Sequence, residues 1–167
     1  MKIMVIEILP LFLKNTLYRM VIIEEVKKGV NTEGLVKDIL QIEWYETSKT
    51  IMRRKTVGGK EIAIRKNSRV PLQDGDILWS DEQSYIEVVI KPCECIVVKP
   101  RNIKEMGIVC FEIGNMHLPI YIDDDNQVNV AYEAPLFNFL ERSRYSIDIE
   151  TKKLLQTNML TIHQIKR

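Results

Sequence analysis

Apolar and polar residues alternate with two different rhythms along this chain, and the change falls near Lys91-Pro92. Before it, Leu40, Ile42 and Trp44 alternate with Gln41, Glu43 and Tyr45, and Ile62 and Ile64 with Glu61, Ala63 and Arg65. Ile86, Val88 and Ile90 form a further run of the same kind. A period of two marks strands with one face buried. Gly58-Gly59, between Lys55 and Glu61, suits a tight hairpin because glycine tolerates positive φ. Asp74-Gly75-Asp76 marks another turn before Ile77-Leu78-Trp79. From Val21 to about Pro92 the pattern therefore predicts six or so short strands in a small β sandwich or open barrel.

After the boundary the rhythm changes. Cys93 to Val98 reads as a strand, and a helix fits residues 102 to 116, where Ile103, Met106, Cys110 and Ile113 repeat at three- and four-residue spacing. Gly107 weakens that helix, and Gly114-Asn115 is its expected stop, both residues tolerating the left-handed conformation. Pro119 then forces an extended run from Leu118 to Ile122. A turn at Asp123-Asp124-Asp125-Asn126, a strand from Val128 to Tyr132, a helix from Ala134 to Arg144 and a strand from Ile147 to Ile149 complete a βαββαβ order. That order is the ferredoxin-like split unit. The expected class is α+β, an N-terminal all-β domain over residues 20–91 followed by a ferredoxin-like domain over residues 92–153. Residues 154–167 read as a C-terminal tail, expected to be mobile at its end.

Composition narrows the function by exclusion. The 167 residues are 46% apolar and 28% charged with net charge +1, so there is no global pull towards nucleic acid or an acidic membrane. Charge is unevenly spread: eight basic residues between Lys49 and Arg69 face one acid, Glu61. Either a solvated strand face or a docking face for an acidic partner fits that cluster. No stretch reaches the roughly 20 apolar residues needed to span a bilayer. Ile3 to Leu13 is interrupted by Glu7 and Pro10 and lacks a small-residue cleavage site, which argues against a signal peptide. Three cysteines suit a reducing cytoplasm rather than a disulfide framework. Cys93 and Cys95 face the same way on their strand. They either pack in the core against helix 102–116 or bind a soft metal, for which only Cys110 remains as a further thiol. The chain carries neither a glycine-rich phosphate loop nor a Gly-x-Ser-x-Gly elbow, and with two histidines in all the usual general base is scarce. An enzyme is not expected.

His117 and His163 are those histidines. On chemistry alone His117 has two readings, a cation complementing the helix dipole or a metal ligand. Gly114-Asn115-Met116-His117 at a helix end, followed by an apolar strand, resembles the metal-binding segment of the UreE family of urease accessory proteins, which are nickel metallochaperones. Glu43-Trp44-Tyr45-Glu46-Thr47, residues 60–65 (Lys60 to Arg65), Gly75-Asp76-Ile77-Leu78 and residues 110–115 agree in order and spacing. The likeness runs from about residue 20 to residue 150.

The resemblance implies a homodimer that binds Ni²⁺ and hands it on through the GTPase UreG to the apo-urease accessory complex, with no nucleic acid or membrane involved. One imidazole per chain cannot satisfy Ni²⁺, which prefers several nitrogen or oxygen ligands. A twofold axis brings an interface residue to its own copy, and in the family two such histidines meet. His163 matches the terminal histidine of many relatives, against the alternative of an ordinary surface residue. Zn²⁺ and Cu²⁺ would also bind nitrogen ligands in vitro. The family's habit of starting with methionine and an aliphatic strand points to Met20, leaving residues 1–19 as a dispensable extension. The rival reading is a metal-independent interaction module that binds RNA or an acidic peptide, although the aromatic-rich strand pattern that stacks bases is missing.

Overall fold

A computed structural model describes residues 20–160. The extension at residues 1–19, and residues 161–167 with His163, lie outside the described residues.

Six strands make up the first half: β1 (Val21–Ile23), β2 (Val36–Ile42), β3 (Ile51–Lys55), β4 (Glu61–Arg65), β5 (Ile77–Ser80) and β6 (Ser84–Ile90). They form two three-stranded sheets ordered β1-β4-β3 and β2-β6-β5. Leu40, Ile42, Ile62, Ile64, Ile86, Val88 and Ile90 from both sheets meet in one buried core, which is what the period of two requires. Two of the pairings are parallel, β1 with β4 and β2 with β6. The sheets are also tied by polar contacts. Asp38 of β2 accepts hydrogen bonds from Thr56 Oγ1 (2.7 Å) and from the Gly58 N–H (2.8 Å) in the β3–β4 turn. A Cβ at Gly58 would lie 2.8 Å from Asp38 Oδ1, so a larger residue would push that carboxylate off its hydrogen bonds.

The basic cluster is divided by the fold. Lys66 is buried and donates to the Thr47 and Val70 carbonyls at 3.2 and 2.7 Å. Arg54 and Lys49 both turn to the buried carboxylate of Glu46. Arg53, Lys55 and Arg65 remain on the exposed outer side of β3 and β4.

The second half is β7 (Cys93–Val98), α1 (Ile103–Asn115), β8 (Tyr121–Ile122), β9 (Val128–Ala131), α2 (Ala134–Arg142) and β10 (Ile147–Lys152). Its antiparallel sheet has the order β10-β7-β9-β8. This is the expected α+β class, with a βαββαβ order. Ile96, Val98, Val128 and Val130 on one sheet face pack with Val109 and Ile113 of α1 and Leu136 and Leu140 of α2.

Two expectations change here. Cys93 and Cys95 do not pack against the helix: they point to the opposite sheet face, where Cys95 is clustered with Leu154 and Met159. Alternation places both thiols on one face but does not say which face the helices cover. The start of the expected tail is likewise packed. Leu154 and Met159 are buried, Gln156 accepts a hydrogen bond from Thr47 Oγ1 at 2.6 Å, and Lys153 pairs with Asp74 at 2.7 Å. Residues 153–160 thus join the two halves, burying apolar side chains that a free tail would expose.

Candidate metal centre

α1 begins at a side-chain cap. Asn102 accepts the Glu105 N–H at 3.0 Å, and Arg101 pairs with Glu105 at 2.8 Å. The inward side of α1 is Met106, Val109, Cys110 and Ile113. Ile103, expected in that stripe, is instead 86% exposed, and Phe111 is 70% exposed. Ile103, Gly107 and Phe111 lie four residues apart, so the outward side of α1 is apolar too.

The end of α1 also differs from expectation. Gly114 and Asn115 remain helical, and the residue that turns left-handed is His117 itself, with φ of +59°. Its N–H donates to the Gly114 carbonyl at 2.9 Å, and the Met116 N–H donates to Ile113 at 3.0 Å. A left-handed residue just past a helix end is normally glycine, and any Cβ there costs about 1–2 kcal/mol. Ile113 and Ile120 are buried on either side, so the backbone is held at both ends while the imidazole is exposed. After the turn, Ile120 forms an antiparallel bridge with Leu160, with N···O distances of 3.2 and 2.7 Å. The described end of the chain therefore lies beside the strand that follows His117.

Among the described residues no group of three His, Cys, Asp or Glu side chains comes together around one point. His117 is the one histidine among the described residues, and its imidazole is exposed. Asp123 belongs to the β8–β9 turn, as its position suggests: it accepts the Gln127 N–H at 2.9 Å and the Asn129 amide at 2.9 Å. Burial works to raise its carboxyl, but the bonds from Asn129, Gln127 and Lys152 prevail and hold it below the ordinary carboxylate value.

Residues 22–91 match the family model described as UreE urease accessory protein, N-terminal domain. The urease accessory protein UreE of Flavobacterium johnsoniae is 45% identical over 111 residues, covering 66% of this chain and 67% of that protein. That of Acetivibrio thermocellus is 41% identical over 113 residues, 68% of this chain and 73% of the relative. The chain belongs to the UreE family of urease accessory proteins. The Helicobacter pylori UreE extends the likeness to 138 residues at 34% identity, 81% of both chains. Members of this family assist urease maturation rather than catalyse a reaction themselves. Among the described residues no helix is long and apolar enough to cross a membrane.

Proposed function

We propose that this chain is a cytoplasmic nickel metallochaperone, a homodimer that holds Ni²⁺ between two copies of His117 and passes it to UreG and the apo-urease complex. The observation that carries the reading is an exposed histidine held in a strained turn at the end of a helix whose outer side is apolar. The same left-handed turn closes α2 at Arg144, so it is the exposed imidazole beside the apolar stripe, and not the strain, that singles out this helix end. Two copies of α1 packed about a twofold axis near its C-terminal end would cover Phe111 in both and bring the two imidazoles together. Two fixed imidazoles then start a nitrogen-rich shell of the kind that suits Ni²⁺, and Zn²⁺ or Cu²⁺ would compete for it.

His163 is the proposed further ligand. The described chain reaches Leu160, which bridges Ile120 three residues after His117, and His163 follows Leu160 by three residues. Three residues span at most about 10 Å, short enough to keep His163 within reach. Protons compete with the metal for imidazole nitrogen, so acid should release the cargo.

Calorimetry with Ni²⁺, together with light scattering, tests the reading on His117→Ala and His163→Ala. His117→Ala removes two central ligands per dimer and should weaken binding by more than the roughly 10–100-fold typical of losing a supporting group around a metal. His163→Ala should lose less, because its segment gives up roughly 1–2 kcal/mol of backbone entropy for each residue it must order. Both variants should stay dimeric. Near-normal affinity in His117→Ala would sink the assignment.

A further inference from the structure

We propose that Cys93 and Cys95 form a second metal site, suited to a soft monovalent ion of the Cu(I) type and separate from the histidine centre. Both side chains leave the same face of β7, and their Sγ atoms are 3.8 Å apart. At a metal–thiolate bond of about 2.3 Å, two sulfurs at that separation subtend roughly 110° at a shared ion. Both thiolates can thus reach one ion with the side chains where they stand.

The surroundings choose the ion. Cys95 is buried beneath the pair and Cys93 is half-buried, so the second thiol gives the ion a way in. Met159 is buried in the same cluster as Cys95, so a thioether side chain packs on the same sheet face as the two thiols. A sulfur-only donor set of low coordination number favours Cu(I) over Ni²⁺ and over hard cations. Zinc would require four ligands. Cys110 cannot supply one, since it lies across the sheet among the helix-side residues and donates to Met106 Sδ at 3.8 Å.

Binding exchanges two S–H bonds for two S–Cu bonds and releases two protons, with no change in the oxidation state of copper or sulfur. A thiol is protonated at neutral pH, so both protons leave as the metal enters.

The test uses the full chain, reduced and anaerobic, titrated with Cu(I) supplied as its acetonitrile complex against bicinchoninate as a competing chelator. Wild type should take up one Cu(I) per chain, with thiolate-to-copper charge-transfer absorption and sulfur neighbours in the copper X-ray absorption spectrum. Cys93→Ser should weaken uptake by at least about 100-fold, since a hydroxyl is a poor partner for a soft ion. Met159→Leu, which conserves volume, should weaken it by about tenfold. Cys110→Ser and the double variant His117→Ala/His163→Ala should retain wild-type uptake. Ni²⁺ should still bind the copper-loaded protein, so the fate of the nickel centre is read separately from that of the thiol site. Cys93→Ser changes a half-buried position, and its fold is checked by circular dichroism. The proposal is overturned if wild type competes for Cu(I) no better than Cys93→Ser, or if the double histidine variant loses Cu(I).

Discussion

The two halves of this molecule both answer charges that leave the solvent from within, as Arg101 answers Glu105 and Lys152 answers Asp123 in the second half. Both also expose apolar side chains, but only the second exposes a histidine beside them. In the β half, charged side chains that leave the solvent are answered from within: Glu46 by Lys49 and Arg54, Lys66 by two carbonyls, Asp38 by the Gly58 turn. In the ferredoxin-like half, α1 leaves Ile103 and Phe111 in solvent and ends on a strained, exposed histidine. A buried charge without a partner would cost several kcal/mol, so both halves keep theirs paired. An exposed apolar stripe costs the monomer little and is recovered only when another surface covers it. The β half also leaves apolar side chains in solvent, among them Val36, Ile51 and Val57, so what sets α1 apart is the exposed histidine that closes it.

The sharpest way to break that contrast is Phe111→Asp. Covering one Phe side chain is worth about 1.5–3 kcal/mol, and a twofold contact counts it twice. The variant should therefore lose about 4 kcal/mol of association, roughly a thousandfold in dimer dissociation constant. Its monomer should unfold at the same urea concentration as a monomeric wild-type reference, because Phe111 is not part of the chain's own core. Sedimentation that shows an unchanged dimer would move the interface away from α1.

Much of the architecture is legible in the sequence, and the losses share a cause. The order of elements from Cys93 to Lys152 follows from the switch between periods two and 3.6, and α1 differs from its expected span by one residue at each end. Pattern says which face of an element is buried but not what lies opposite. Hence the parallel pairings of β1 with β4 and β2 with β6 do not follow from alternation, nor does the sheet face that Cys93 and Cys95 occupy. Ile103 fits the helical repeat, yet it sits on the first residue of α1 and turns away from the sheet. Gly114-Asn115 carries the chemistry of a helix stop, yet the chain closes at His117, next to the point where Leu118 and Ile120 dock into the core. His117 is visible as a candidate from residue type and resemblance, whereas its backbone strain needs coordinates.

Glu46→Gln probes the other side of the contrast. Burial works to raise the Glu46 carboxyl, but hydrogen bonds from Lys49, the Glu43 N–H and Arg54 prevail and hold it below its ordinary value of 4.5. A depressed carboxyl contributes stability that is complete above that ordinary value and is lost as pH falls through the lower, folded value. Removing the charge should cost about 1–2 kcal/mol at neutral pH, less than a fully buried pair because Lys49 and Arg54 are partly in solvent. It should also flatten the acid limb of the stability curve below about pH 4.5. Urea denaturation at neutral and acidic pH measures both. Nickel affinity should not change, and a parallel loss of affinity would show that the β half shapes the metal centre.

The smallest effect is the most discriminating, because it asks what His117 is for. Both helices end in the same way, with a non-glycine residue in the left-handed region just past the cap: His117 at +59° after α1 and Arg144 at +59° after α2. Each donates its N–H to the carbonyl three residues back, Gly114 and Glu141 respectively. Glycine adopts this conformation without a Cβ clash, so replacing either residue should relieve strain. His117→Gly and Arg144→Gly should each gain about 0.5–1 kcal/mol of stability in metal-free buffer. Urea denaturation at one fixed protein concentration checks this, since dimerisation makes the midpoint depend on concentration. Only His117→Gly should lose Ni²⁺, so the two variants separate backbone relief from ligand loss. A gain at both sites with loss of metal at one means that the imidazole is kept at the expense of the fold. If His117→Gly is instead neutral or destabilising while Arg144→Gly gains, the His117 side chain is holding the turn within its own chain.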